Sequence, residues 1–166
     1  MDLILGNFFS LLAMVSDSFS TSRKTVRSML LVQCLGLFFF AVSSICLKGY
    51  SAAVQNVVSI FRNLLASSKY QSKKLEWFMV GLAVVLGLLF NNLGLIGALP
   101  VIGNLEYTLA MFHFRDNERV LKFAFLVNIC LYAVFNLVIM NFVGLIANIV
   151  VVSVTASYLI RGGKQA

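Results

Sequence analysis

Arg62, Glu106, Asn56, Asn148, Tyr132 and Phe40 stand inside stretches of sequence that are otherwise apolar. In such surroundings an ionisable side chain is costly and marks a functional candidate. Each Asn amide carries two donors and an acceptor, which suits a hydroxylated or amide-bearing solute. The same amide also bonds helices to one another in lipid, so Asn56 and Asn148 have a purely structural reading as well. Tyr132 and Phe40 would add flat faces beside such a solute. Arg62 and Glu106 read as an ion pair, either structural or part of a gate or proton-coupling site, since a buried charge requires a partner. Alternatively, Arg62 snorkels to the membrane surface.

Nothing points to catalysis. The single histidine, His113, has no acidic or nucleophilic residue at useful spacing. There is no phosphate loop, no HExxH and no pair of acids. Cys34, Cys46 and Cys130 are odd in number and lack CxxC spacing, so they read as small buried hydrophobes rather than a disulfide or metal site. No enzyme activity, metal or cofactor is expected.

These residues need helices to hold them, and composition says in what solvent. Of 166 residues, 60% are hydrophobic and 11% charged, against about 25% charged in a typical soluble domain. The formal net charge of +7 does not argue for nucleic acid, because Lys and Arg gather in the cytoplasmic loops of membrane proteins. The start, MDLILGNFF, has Asp2 where a signal peptide wants positive charge, so it reads as a retained span.

Backbone groups in hydrocarbon must be satisfied within the segment, which makes each long apolar run a helix. Charges and turn residues cut the chain into spans at 3–18, 28–47, 51–68, 77–90, 99–114, 120–139 and 142–160. Pro100 is assigned to the first turn of the fifth, where its missing N–H is harmless. Met140-Asn141 is the expected turn between the last two. On this cutting eleven basic residues fall on one side and only Lys48 on the other. The basic side is cytoplasmic by the positive-inside rule, the N-terminus lies outside and the C-terminus inside. Counting 1.5 Å per residue from the outer face, Asn56, Asn148, Glu106 and Tyr132 lie about 8–11 Å deep, a level at which they would line one cavity.

A shift of 92 residues superposes Arg23 on Arg115, Arg27 on Arg119, Phe40 on Tyr132, Ala41-Val42 on Ala133-Val134 and Asn56 on Asn148. Spans one to three then overlie spans five to seven, with span four as connector. The expected fold is all-α and polytopic, seven transmembrane helices in a 3+1+3 parallel repeat: residues 1–69 a first bundle, 70–98 a linker helix, 99–166 a second bundle.

The stretch LPVIGNLEYTLAMF, the closing YLIR and the earlier RKTVRSMLL…GYSAAVQNVVSIFRNLL resemble the bacterial YgjV-type inner membrane proteins, from the first loop to Arg161. That family is similar to the PQ-loop and SWEET-like transporters. The resemblance implies a bacterial cytoplasmic membrane location and a solute-transport fold in which an Asn from each third helix faces the solute. Asn56 and Asn148 match those positions. The expected function is alternating-access transport of a small polar solute around a midplane cavity, with the lipid bilayer as surroundings and a homodimer left open. The alternative is a non-transporting partner or chaperone of another membrane protein.

Overall fold

A computed structural model describes residues 1–21, 26–67, 72–114 and 117–162. They form seven α-helices and no strand: α1 (Asp2–Thr21), α2 (Val26–Cys46), α3 (Tyr50–Ser67), α4 (Lys73–Leu89), α5 (Leu95–His113), α6 (Glu118–Val138) and α7 (Phe142–Gly162). At 1.5 Å per residue the helices are about 26–32 Å long, close to the roughly 30 Å of a bilayer's hydrocarbon core. By length and composition together, one helix among the described residues, Arg119–Val138, is long and apolar enough to cross a membrane. Leu30–Cys46, Leu95–Ala110 and Phe142–Ser157 are shorter apolar segments. The basic residues Arg23, Lys24, Lys69, Arg115 and Lys164 lie outside the described residues.

Five helices run close to the expected spans. The fifth begins earlier than Leu99, and Pro100 stands inside it rather than in its first turn. Gly94, at φ 57°, is what starts α5, because only glycine takes that backbone conformation at no steric cost. Pro100 offers no N–H to the carbonyl of Ile96, the usual origin of a local bend. Residues 95–98, assigned from sequence to the linker, therefore belong to α5. Helix α4 likewise starts at Lys73, before Trp77.

Successive helices pack side by side, α1 on α2 on α3 and α5 on α6 on α7. Helix α3 also packs on α5, and α1 on α7, so these six close into a ring. Helix α4 packs on α3 and α5 only and sits outside that ring, clasping one of its joints. It docks through Ala83 and Met79, both buried against Val58.

The short turns after α2 and α6 are the same structure. Lys48 and Met140 each take a left-handed backbone with φ 59°. In the first turn the N–H groups of Leu47, Lys48 and Gly49 donate to Ser43, Ile45 and Ser44, and Ala53 donates to Gly49. In the second, those of Ile139, Met140 and Asn141 donate to Phe135, Leu137 and Asn136, and Leu145 donates to Asn141. Every one of these bonds is reproduced 92 residues on. Both are helix C-caps of the kind that satisfies orphan carbonyls through a left-handed residue.

Asparagines tie this end of the molecule together. Asn92 Nδ2 donates to the Lys48 carbonyl at 2.6 Å. Asn7 Nδ2 donates to the Met140 carbonyl at 3.1 Å, while its Oδ1 accepts from Val143 N–H at 3.0 Å. Beneath the turns the apolar core gathers Ala52, Phe135 and Ile139, with Leu47, Leu99 and Tyr132 packed against it. Phe135, fully buried, has its ring against Gly49, where a Cβ would come within 2.8 Å of it. A residue on α6 thus reaches across to the start of α3 and fills the ring at its turn end.

Candidate functional site

Gln55, Ser59 and Arg62 recur at i, i+4 and i+7 along α3, and Asn104 and Thr108 at i and i+4 along α5. Such spacings put each set on one face of its helix. The two faces meet and build a polar seam at the joint that α4 covers. Asn104 lies at its centre: Nδ2 donates to Gln55 Oε1 at 2.6 Å, and Oδ1 accepts from Arg62 Nη1 at 2.8 Å and from Ser59 Oγ at 3.3 Å. Arg62 Nη1 also donates to Thr108 Oγ1 at 3.0 Å. Gln55 Nε2 donates outward to the Ala83 carbonyl of α4 at 2.7 Å. That bond requires α4 to come close, and a Cβ on Gly87 would overlap both Gln55 and Val101.

The Arg62 guanidinium carbon lies 5.4 Å from the centre of the Tyr107 ring, within reach of a cation–π interaction. The Tyr107 ring in turn leans on Phe125 of α6, with centroids 5.5 Å apart. Tyr132 lies within electrostatic reach of Arg62 as well. Arg62 Nε is enclosed and has no hydrogen-bond partner.

The residues singled out from sequence occupy several places. Arg62 and Tyr132 come together. Arg62 and Glu106 form no ion pair among the described residues: the guanidinium bonds go to Asn104 and Thr108, and Glu106 Oε2 is enclosed without a partner. Glu106 instead faces a groove of about 640 Å³ with Trp77 of α4, Ile102 and His113 of α5, and Phe123 of α6. Asn56 is 6% exposed and shares a stripe of α3 with Ile60 and Asn63. That stripe meets α2, where Cys34 Sγ donates to the Ile60 carbonyl and Asn63 makes a long 3.5 Å bond to Gln33. Asn148 is half-buried on α7, its Nδ2 enclosed and unpartnered. Phe40 is half-buried on α2; the stacked pair there is Phe9 with Phe39, at 6.3 Å. Among the described residues no three metal-ligating side chains cluster.

A family model for bacterial inner membrane proteins, Imp-YgjV, matches residues 4–166. The chain belongs to the Imp-YgjV family. No curated protein and no solved structure gave a match. As an inner membrane protein of this family, the chain meets lipid over its outer surface, which explains otherwise costly exposures. Leu95 is 89% exposed, and Trp77, Phe78, Phe123 and Ile160 are each more than half exposed.

In this Imp-YgjV member the seam residues Gln55, Ser59, Asn104 and Thr108 were not singled out from sequence, although their helical spacing was readable. Under the 92-residue shift three of these four fall on apolar residues. Gln55, Ser59 and Arg62 fall on Ala147, Val151 and Val154, and Asn104 on Leu12, while Thr108 falls on Ser16. A search for polar residues that coincide under that shift passes over a seam made where α3 meets α5.

Proposed function

We propose that this inner membrane protein is a carrier of a small polar solute, working by alternating access between its two three-helix units. Helices α1–α3 form one unit, α5–α7 a parallel copy of it, and α4 the linker that makes a parallel copy feasible. The N-terminus lies outside, with the turns after α2, α4 and α6, and the loops between α1 and α2, α3 and α4, and α5 and α6 lie in the cytoplasm.

The observation that carries the reading is the closed ring of six helices with its buried polar seam at one of the two joints between units. Rocking of one unit on the other works at these joints, as expected of carriers made of parallel repeats. The bond-for-bond likeness of the turns at Lys48 and Met140 supports the pairing of the units. A single chain closes the ring, so the mechanism needs no second copy.

Uptake into proteoliposomes tests this. Asn56→Ala and Asn148→Ala are expected to abolish uptake while leaving expression and folding intact. Unchanged uptake in both variants rules out a solute site at these amides.

A second reading, a non-transporting partner of another membrane protein, has one observation in its favour. Asn56 packs on the face that meets α2, and the groove at Trp77, Glu106 and Phe123 opens sideways between α4, α5 and α6. A purified protein that moves no solute, yet copurifies with one membrane protein through that groove, would favour this second role.

A further inference from the structure

We propose that the free edge of Arg62 is a binding site for a small carboxylate anion. The inference rests on the carrier reading and names the class of its solute. Arginine cannot shed its charge in a protein, and one held inside a membrane is found paired or beside a cavity. Arg62 does not reach for the membrane surface. Its Nη1 bonds to Asn104 and Thr108, residues nine and thirteen places into α5, and Arg62 is itself twelve places from the start of α3. That puts the group about 14–20 Å along helices about 27–29 Å long, near the middle.

The partners it has there are neutral. Asn104 and Thr108 contribute dipoles, and Tyr107 contributes a ring face. Among the described residues Tyr107 and Tyr132 are the titratable groups in its electrostatic reach, and both are phenols. Glu106, two residues from both Asn104 and Thr108, is turned to the opposite side of α5 and into the groove with Trp77. The cation therefore has no balancing anion among the described residues.

The way it is held leaves one edge free. Nη1 carries both hydrogen bonds, while Nε has none and is enclosed. Nε–H and Nη2–H point in parallel from the guanidinium, a fork whose spacing matches the two oxygens of a carboxylate. Asn104 and Thr108 fix the plane of that fork from behind, and Tyr107 lies under its face. A lysine would give charge without the fork.

The test uses purified full-length protein in uncharged detergent and follows thermal unfolding. The probes are acetate, lactate and succinate, each beside its neutral amide. At least one carboxylate is expected to raise the melting temperature by about 5 °C at saturation, with no rise from the amide. Arg62→Gln keeps a donor for Asn104 and should remove the response. Arg62→Lys should weaken binding about tenfold, since it lacks the paired donors. The comparison of acid with amide needs no variant, so a variant that fails to fold leaves the test intact. Equal responses to acid and amide, a full response in Arg62→Gln, or no response to any probe would each overturn the proposal. So would stabilisation by phosphatidylglycerol alone, which would put a lipid phosphate at the guanidinium. Uptake into proteoliposomes separates the two claims. Arg62-dependent binding without uptake removes the carrier and keeps the site; uptake of a neutral solute with no binding or competition by carboxylates removes the site and keeps the carrier.

Discussion

Asn104 joins three side chains of α3 through a single amide. It donates to Gln55 and accepts from Arg62 and Ser59, and it is 4% exposed. Asn104→Ala would leave the Gln55 carbonyl and one Arg62 donor without partners in a site that water reaches poorly. Each such loss costs about 1–3 kcal/mol, so the melting temperature in detergent should drop by about 5 °C or more at 2–4 °C per kcal/mol. Thr108→Val removes one acceptor of Arg62 and should cost less, about 1 kcal/mol. A smaller loss in Asn104→Ala than in Thr108→Val would contradict the central place given to Asn104. The chemistry of this site was half legible in the chain. Arg62 announces itself as a charge in an apolar run. Its true partners do not, because Asn and Thr are ordinary in membrane helices and pairing an Arg with the nearest buried acid is the natural guess. Only the orientation of α5, which turns Asn104 and Thr108 inward and Glu106 away, decides between them, and a two-residue offset on a helix is a rotation of about 200°.

At the scale of helices and turns, far more could be read in advance. Charge-free runs of about helix-spanning length fix where helices lie almost by themselves, since hydrocarbon leaves the backbone no other way to bond. What could not be read was where a glycine or proline acts. Gly94 begins α5 and Pro100 stands inside it, whereas proline alone is more naturally placed at a helix start. The paired turns yield a prediction of their own. A left-handed residue with a side chain costs about 1–2 kcal/mol, and glycine returns about 0.5–1 kcal/mol of that as entropy lost on folding. Lys48→Gly and Met140→Gly should therefore each stabilise the protein by about 0.5–1 kcal/mol, or about 1–4 °C in melting temperature. If the two turns are equivalent elements, the two variants will behave alike. A gain at one and a loss at the other would mean that the shared hydrogen-bond pattern hides different surroundings, such as the packing of Phe135 against Gly49.

The whole molecule adds a constraint that neither residues nor helices carry. If each helix crosses the membrane once, α2 and α3 alone between α1 and α5 would set those two antiparallel. Helix α4 would supply the extra crossing that makes them parallel. It packs on α3 and α5, and in the carrier proposed above its loss would reverse α5–α7 relative to α1–α3. This makes the sidedness of the loops a test of the architecture. Among the described basic residues, Lys73, Lys74, Arg119 and Lys122 stand near the starts of α4 and α6, and Lys48 stands at the opposite end, in the turn after α2. Positive charge is retained on the cytoplasmic side. Alkaline phosphatase joined after Lys48 or Met140 should be active, as it is only outside the inner membrane, and fluorescent-protein fusions after Lys73 or Arg119 should fluoresce. Lys73 and Arg119 are the informative pair, because α4 and α5 lie between them. If they report opposite sides, an odd number of crossings separates them, the two units cannot be parallel, and rotation of one against the other about a shared axis is no longer available as a mechanism.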